Sequence, residues 1–232
     1  MTKYDFDLNL STKNSNSSIA FSINPNSTIL EVGCAYGRLT KYLHSQGCQV
    51  TIMEIDEESG SVASQWAERT FLGKDGDVEN INNLRKIKQF GNYDYIIFAD
   101  VLEHLYYPEK VLSETKNLLN TNGSVLISIP NIAHNSVIID LIQNKFEYRP
   151  VGLLDNTHIR FFTESSLEQM VEKCGFTVFK KDNLYNSVQY TEFNNSYSDL
   201  PDEVANFLKT RPGGEIYQFV WELKCVEKDY VK

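Results

Sequence analysis

Several groups of residues in this 232-residue chain have the types and spacing to do chemistry. Gly33-Cys34-Ala35-Tyr36-Gly37 follows a short apolar run that ends in Glu31-Val32, and it leads into Arg38, Leu39, Tyr42 and Leu43, which fall at helical spacing. Glycines allow a tight turn and a close approach of backbone to ligand, and the start of a helix offers unpaired N–H groups. Glu54 closes a second apolar run, 49–53, about 20 residues after the first glycine, where an acid can accept hydrogen bonds from both hydroxyls of a ribose. Further on stand Gly76-Asp77-Val78-Glu79, the segment Asp100-Val101-Leu102-Glu103-His104-Leu105, and the trio Asp155, His158 and Arg160. The spacing predicts a nucleotide-bearing cofactor and an ionisable group near its reactive end.

Histidine suits a general base at neutral pH. His44 falls late in the first predicted helix and reads as a surface residue. His104, His134 and His158 are the candidate bases, with His158 preferred and Asp155 placed to orient it. The competing reading makes His104 a fixture of its loop and makes Asp155, His158 and Arg160 a polar network that pins a loop. Arg149 and Arg160 match phosphate oxygens, with ion pairing or solvation the alternative. Tyr106, Tyr107, Phe146 and Tyr148 can form a flat wall for a ring, or can simply pack. No second tight His/carboxylate pair accompanies His158, so no metal site is expected. Cys34, Cys48, Cys174 and Cys225 lack C-x-x-C spacing and read as buried thiols.

The elements that must position these groups alternate. Strands are predicted at 29–32, 49–53, 93–99 and 124–129, with a short one beginning at 71–72. Helices are predicted at 38–43, 56–69, 81–87 and 109–120, the last begun by Pro108 and closed at Asn122-Gly123. Alternation of this kind implies a doubly wound, Rossmann-like parallel sheet, whose ligands bind beyond the carboxyl ends of the strands. That rule gathers 33–37, Glu54, Asp77-Val78 and 100–104 into one crevice. Residues 131–162 interrupt the alternation with a helix at 136–143 and an aromatic, polar loop; an insertion there suits a lid or acceptor site. Thr163 caps a helix at 164–174, a strand follows at 176–180, 183–214 is polar with one helix near 202–209, and 215–226 alternates as a last strand. Residues 1–26, with Tyr4, Phe6, Leu8, Leu10, Ile19, Phe21 and Ile23, read as an arm containing a short helix at 15–23. One domain accounts for the whole length, 1–232.

These phrases together resemble the class I S-adenosylmethionine (SAM) methyltransferases, and within them the bacterial group that modifies sugars and cell-surface polysaccharide precursors. ILEVGCAYG resembles motif I, with Ala35 where a second glycine is common; EID at 54–56 resembles the ribose-acid motif; GDVE resembles the adenine segment. DVLEHL, SIPNIAH, LLDNTHIRFFT and IYQFVWEL resemble the group's later segments. The resemblance implies a seven-stranded sheet, mostly parallel with an antiparallel last strand, and SAM as cofactor with S-adenosylhomocysteine (SAH) as product. It implies cofactor contacts from Glu31, Gly33, Cys34, Ala35, Gly37, Glu54, Ile55, Asp77, Val78, Asp100 and Val101. Tyr106, Tyr148, Arg149, Asp155 and Arg160 are then expected on the acceptor side.

Net charge is −9 with no block of Lys/Arg, which argues against nucleic acid as partner. No apolar run reaches membrane-spanning length and no signal peptide opens the chain, so a cytoplasmic protein is expected. The leading expectation is methyl transfer to a small-molecule acceptor, a hydroxyl of a sugar or glycan precursor, phosphorylated or nucleotide-linked sugars included. Alternatives are N-methylation of a small phosphorylated amine, a silent SAM-fold partner subunit, and NAD-dependent oxidoreduction, which the missing third dinucleotide glycine disfavours. Composition leaves the oligomeric state open.

Overall fold

The computed structural model describes residues 8–226; Tyr4 and Phe6 of the expected arm lie outside them. Among the described residues, eight strands form one sheet: β1 Thr28–Val32, β2 Gln49–Glu54, β3 Arg69–Leu72, β4 Tyr93–Ala99, β5 Leu119–Pro130, β6 Phe176–Lys181, β7 Leu184–Tyr185 and β8 Ile216–Cys225. Their order is β3-β2-β1-β4-β5-β8-β6, with β7 also paired to β8. The strands β1 to β5 run parallel, and β8 is antiparallel to β5, β6 and β7. This is the expected doubly wound α/β sheet, with the two-residue β7 as an addition.

The pleat sorts the side chains. Ile29, Tyr95 and Ile97 face a core shared with Ile19 and Ala20 of helix α1 (Ser15–Ser22), Leu39 and Leu43 of α2 (Arg38–Ser45) and Ala63 of α3 (Glu57–Ala63). Leu30, Val32, Ile96 and Phe98 face the opposite core, with Leu84 and Ile87 of α4 (Ile81–Ile87), Val111 and Leu112 of α5 (Pro108–Thr115) and Leu167 and Val171 of α7 (Glu164–Lys173). Burial on both faces is what a central parallel strand requires. Over the carboxyl side sit α6 (Asn135–Ile142) and α8 (Asp202–Thr210), which share a small core of Ile139, Val188, Leu200, Ala205 and Leu208. Among the described residues no helix is long and apolar enough to cross a membrane.

Several boundaries differ from the sequence reading. The helix expected over 56–69 stops at Ala63 and passes through a 3-10 turn at Ser64–Trp66, and the short strand expected from 71–72 starts earlier, as β3 at Arg69. Pairing of Arg69–Leu72 with Thr51–Glu54 supplies backbone hydrogen bonds that local helical spacing does not anticipate. The helix expected to reach residue 120 ends at Thr115, and β5 starts at Leu119, so Asn122-Gly123 lies inside that strand rather than ending a helix.

A polar bond joins β1 to α2 inside the core: Thr40 Oγ1 donates to Glu31 Oε2 at 2.7 Å. Burial raises the Glu31 pKa from 4.5 to about 7, against the lowering effect of Thr40. The folded state therefore keeps a proton that the unfolded chain releases, and the stability it contributes is full below about pH 4.5 and lost as pH rises towards 7. Glu31→Gln, a neutral residue of the same shape, is expected to remove this loss. Urea unfolding should show the variant matching the wild type at pH 4.5 and exceeding it by up to about 3 kcal/mol at pH 8. A difference independent of pH would refute the assignment.

Candidate active site

The turn after β1 needs backbone that few residues supply. Gly33, Ala35 and Gly37 all have positive φ, at 71°, 45° and 72°. A Cβ on Gly33 would stand 2.6 Å from Val101 Cγ2, so this glycine is fixed by both conformation and space. The turn is closed by Gly37 N–H donating to the Cys34 carbonyl at 2.9 Å and tied to β2 by Gly33 N–H on the Met53 carbonyl at 2.8 Å. Alanine in place of the middle glycine is tolerated at φ 45°, inside the left-handed region.

Glu54, at the carboxyl end of β2, is the partner of this turn. Its Oε2 accepts from Ala35 N–H at 2.8 Å and its Oε1 from Asp56 N–H at 3.0 Å. Each carboxylate oxygen has a second lone pair, so the clasp leaves capacity for two ligand hydroxyls. Asp77 Oδ1 accepts from Glu79 N–H at 2.9 Å, and Asn83 Nδ2 donates to the Lys74 and Asp77 carbonyls, which holds the Gly76–Glu79 turn. Asp100, also at positive φ (56°), accepts from Ser128 Oγ at 2.9 Å and from the Gln218 amide. All these groups end strands β1 to β4 on one edge, as the parallel topology dictates. A turn that a Cβ would fill, beside an acid with lone pairs to spare, fits SAM.

Two expected contacts are corrected. Glu31 and Cys34 are buried, and the Glu31 carboxylate is bonded inward to Thr40, so their side chains support the turn from beneath rather than line it. Ile55 is exposed beside Glu54, and Val78 is buried in the core under the Gly76–Glu79 turn.

Beyond Asp100 and Val101, a 3-10 turn at Leu102–His104 carries Glu103 and His104. The Glu103 carbonyl accepts from both Ile159 N–H (3.0 Å) and Arg160 N–H (2.9 Å), which brings the inserted loop down onto this turn. His104 Nδ1 lies 3.1 Å from the Thr157 carbonyl and His158 Nδ1 lies 3.3 Å from the Leu153 carbonyl. A carbonyl only accepts, so each Nδ1 is the donor and each neutral ring carries its lone pair on Nε2. The two rings meet edge to face with centroids 4.8 Å apart. His158 Nε2 is 4.0 Å from Glu103 Oε1. Burial pushes the Glu103 carboxyl well above its usual range, with repulsion from Asp100 and Asp155 adding to it.

Glu103 is thus the carboxylate that faces His158 Nε2, in the place the sequence reading gave to Asp155. Asp155 Oδ1 instead accepts from Thr157 N–H (2.8 Å) and Thr157 Oγ1 (2.7 Å) and shapes the loop. His134 is corrected as well. It is fully buried, its Nδ1 accepts from Ser136 N–H as the cap of α6, its Nε2 donates to the Asn186 carbonyl at 2.9 Å, and burial depresses its pKa. Both ring nitrogens are committed, so His134 is a structural residue. Arg149 donates to the Glu192 carbonyl and stacks on Phe193 at 4.9 Å, which removes it as a phosphate clamp. Arg160 is exposed and donates to the Tyr106 carbonyl. Tyr106 and Tyr148 are exposed, and Tyr148 meets Phe146 edge to face at 5.4 Å. Sequence reasoning also missed Gln218 and Ser128, whose bonds to Asp100 cross 118 and 28 residues.

The family model described as "Methyltransferase domain" matches residues 10–181. A ubiquinone biosynthesis O-methyltransferase of Nitrosococcus oceani is 29% identical over 147 residues, 63% of this chain and 62% of that protein. Its counterpart in Coxiella burnetii is 23% identical over 180 residues, 78% of this chain and 74% of the relative. The chain therefore spans less than two thirds of the first relative's length. These relatives are named for ubiquinone biosynthesis, and not for sugar or polysaccharide modification. A magnesium protoporphyrin IX methyltransferase from Synechocystis with bound SAH has the same fold, with TM-score 0.58 and 16% identity over 90% of this chain and 80% of that one.

If Glu54 receives the ribose hydroxyls, Glu54→Ala loses a charged acceptor and also releases two backbone N–H groups of the turn. Calorimetric titration with SAH should then show a tenfold to hundredfold weaker Kd, about 1.5–3 kcal/mol. Unchanged affinity in a folded variant would remove Glu54 from the cofactor site.

Proposed function

The chain belongs to the methyltransferase-domain family, is a SAM-dependent enzyme of the class I fold, and on that premise we propose that it transfers the methyl group to a hydroxyl oxygen of a small-molecule acceptor. The observation that carries this reading is the cluster of Glu103, His104 and His158 at the carboxyl edge of β4. It follows directly on Asp100 and Val101, and Val101 closes over Gly33 of the cofactor turn. Methyl transfer needs the acceptor in line with the sulfonium methyl, so positioning supplies much of the acceleration. A hydroxyl must also lose its proton, and an imidazole of His104 or His158 is suited to take it. The relatives' names, as O-methyltransferases, support oxygen as the acceptor atom.

Glu54 and Asp77 are assigned the ribose and adenine of the cofactor, and Gly33–Gly37 its methionine end. Tyr106, Tyr148 and Phe146 offer exposed ring faces around the acceptor loop, which suit an acceptor that carries its hydroxyl on a ring, a sugar among them. The relatives' part in ubiquinone biosynthesis argues for another ring-bearing small molecule as readily as for a sugar. N-methylation of a phosphorylated amine loses its main support with Arg149 bound to Glu192 and Phe193. A silent partner subunit would have no need of the strained turn at Gly33–Gly37 or of the Glu54 clasp.

SAH release measured over a panel of hydroxyl and amine acceptors tests the reading, with turnover expected on a hydroxyl. On that acceptor, His158→Ala should lower kcat by about 10²–10⁴ and leave SAH affinity within about twofold. Full turnover by this variant would remove His158 from the reaction, and loss of SAH binding would make it a loop fixture.

A further inference from the structure

Glu103 is a buried acid with an unpaired carboxyl. It is 1% exposed, and neither of its carboxylate oxygens accepts a hydrogen bond from any described residue. Burying an unpaired carboxyl is expensive, and native folds compensate such a group, beyond leaving it protonated, with a donor or a cation. Its surroundings offer the second. Glu103 Oε1 points at His158 Nε2, and the Nδ1 atoms of His104 and His158 are both spent on backbone carbonyls, at Thr157 and Leu153. Carbonyl bonds of this kind set the tautomer of metal-binding histidines, directing the Nε2 lone pair to the ion.

We propose that Glu103, His104 and His158 hold a divalent first-row transition cation at the acceptor end of the cofactor crevice. One ligand atom from each of the three lies within 4.8 Å of the others. A tetrahedral site with bonds near 2.1 Å sets its ligand atoms roughly 3.4 Å apart, so side-chain rotations that close the triangle by up to about 1.4 Å complete it. The frame is already fixed, because Glu103 and His104 are neighbours in one turn and the Glu103 carbonyl anchors Ile159 and Arg160 next to His158. Two imidazoles and one carboxylate suit zinc, iron, cobalt or manganese better than magnesium or calcium, which prefer oxygen throughout. Three protein ligands leave a position open, as in catalytic zinc sites.

Cation binding does not depend on the O-methylation reading; its use in the reaction does. With the cation bound, the two Nε2 atoms are ligands and no longer bases; a hydroxyl on the open position would have its pKa lowered and give its proton to solvent instead. The resulting oxyanion forms an O–C bond to the methyl carbon, the S–C bond breaks, and its electron pair returns to sulfur to give neutral SAH.

The test uses the full chain, stripped with a chelator and titrated with Co²⁺ alone, without SAM or acceptor. The wild type should develop a saturable visible spectrum at one ion per chain that Zn²⁺ displaces, and Glu103→Gln and His158→Ala should each weaken binding about tenfold or more. Zn²⁺ should raise the Tm of the wild type and not that of Glu103→Gln. In the stripped state Glu103→Gln should melt above the wild type, which shows that the variant folds. Absence of a saturable Co²⁺ spectrum, or equal affinity in wild type and both variants, overturns the site. Co²⁺ bound as described in a protein that methylates no hydroxyl would uphold the site and refute the O-methyl reading alone.

Discussion

One backbone oxygen, the carbonyl of Glu103, governs how this molecule is put together. It accepts N–H groups from two successive residues of a loop more than fifty positions away, Ile159 and Arg160. The turn that carries it ends strand β4, and so belongs to the nucleotide-binding half. The loop that reaches it belongs to the insertion. With that oxygen filled, His158 is carried to His104, the Arg160 guanidinium lies on Tyr106, and the insertion covers the carboxyl edge. Backbone groups make the joint, so side-chain identity on the loop can vary while its position is kept.

The cofactor half depends on a similar economy. Glu54 holds Ala35 and Asp56, Val101 fills the space above Gly33, and Ser128 with Gln218 holds Asp100 in a left-handed conformation. Ala35, Gly33 and Asp100 are each met by a residue from another strand or the turn after it. The crevice is therefore a property of the sheet's order, with β1 between β2 and β4, and no single loop makes it.

Much of this was legible because its signals are local. The glycine turn, the acid at the end of the second strand, the alternation of strands and helices and the capping Thr163 each show within a dozen residues. What stayed hidden depends on distant pairing. Arg69 read as the end of a helix, and the strand from 71–72 looked shorter than it is, because their partner is the distant β2; β5 began early because Leu119 pairs with Tyr93. Asp155 looked like the orienting acid through its closeness in sequence to His158, whereas Glu103 reaches that ring only through the folded loop. His134 and Arg149 have the chemistry of site residues, and only their partners, Asn186, Ser136 and Glu192, show them to be structural.

The position of β8 bears on how the chain is made. It is the last described strand in sequence, yet it lies between β5 and β6, and β7 also pairs with it. During synthesis β5 leaves the ribosome as an open, apolar sheet edge, and β6 has no neighbour until some forty further residues have followed. Through that interval the exposed edge is a template for pairing with other chains. Strands β1 to β4 can pair while the other side of the sheet waits for Phe219, Trp221 and Leu223 to close the core. A nascent chain of this protein thus carries β1 to β4 and the turn at Gly33–Gly37 before β8 arrives, and the surface it leaves open meanwhile is the edge of β5.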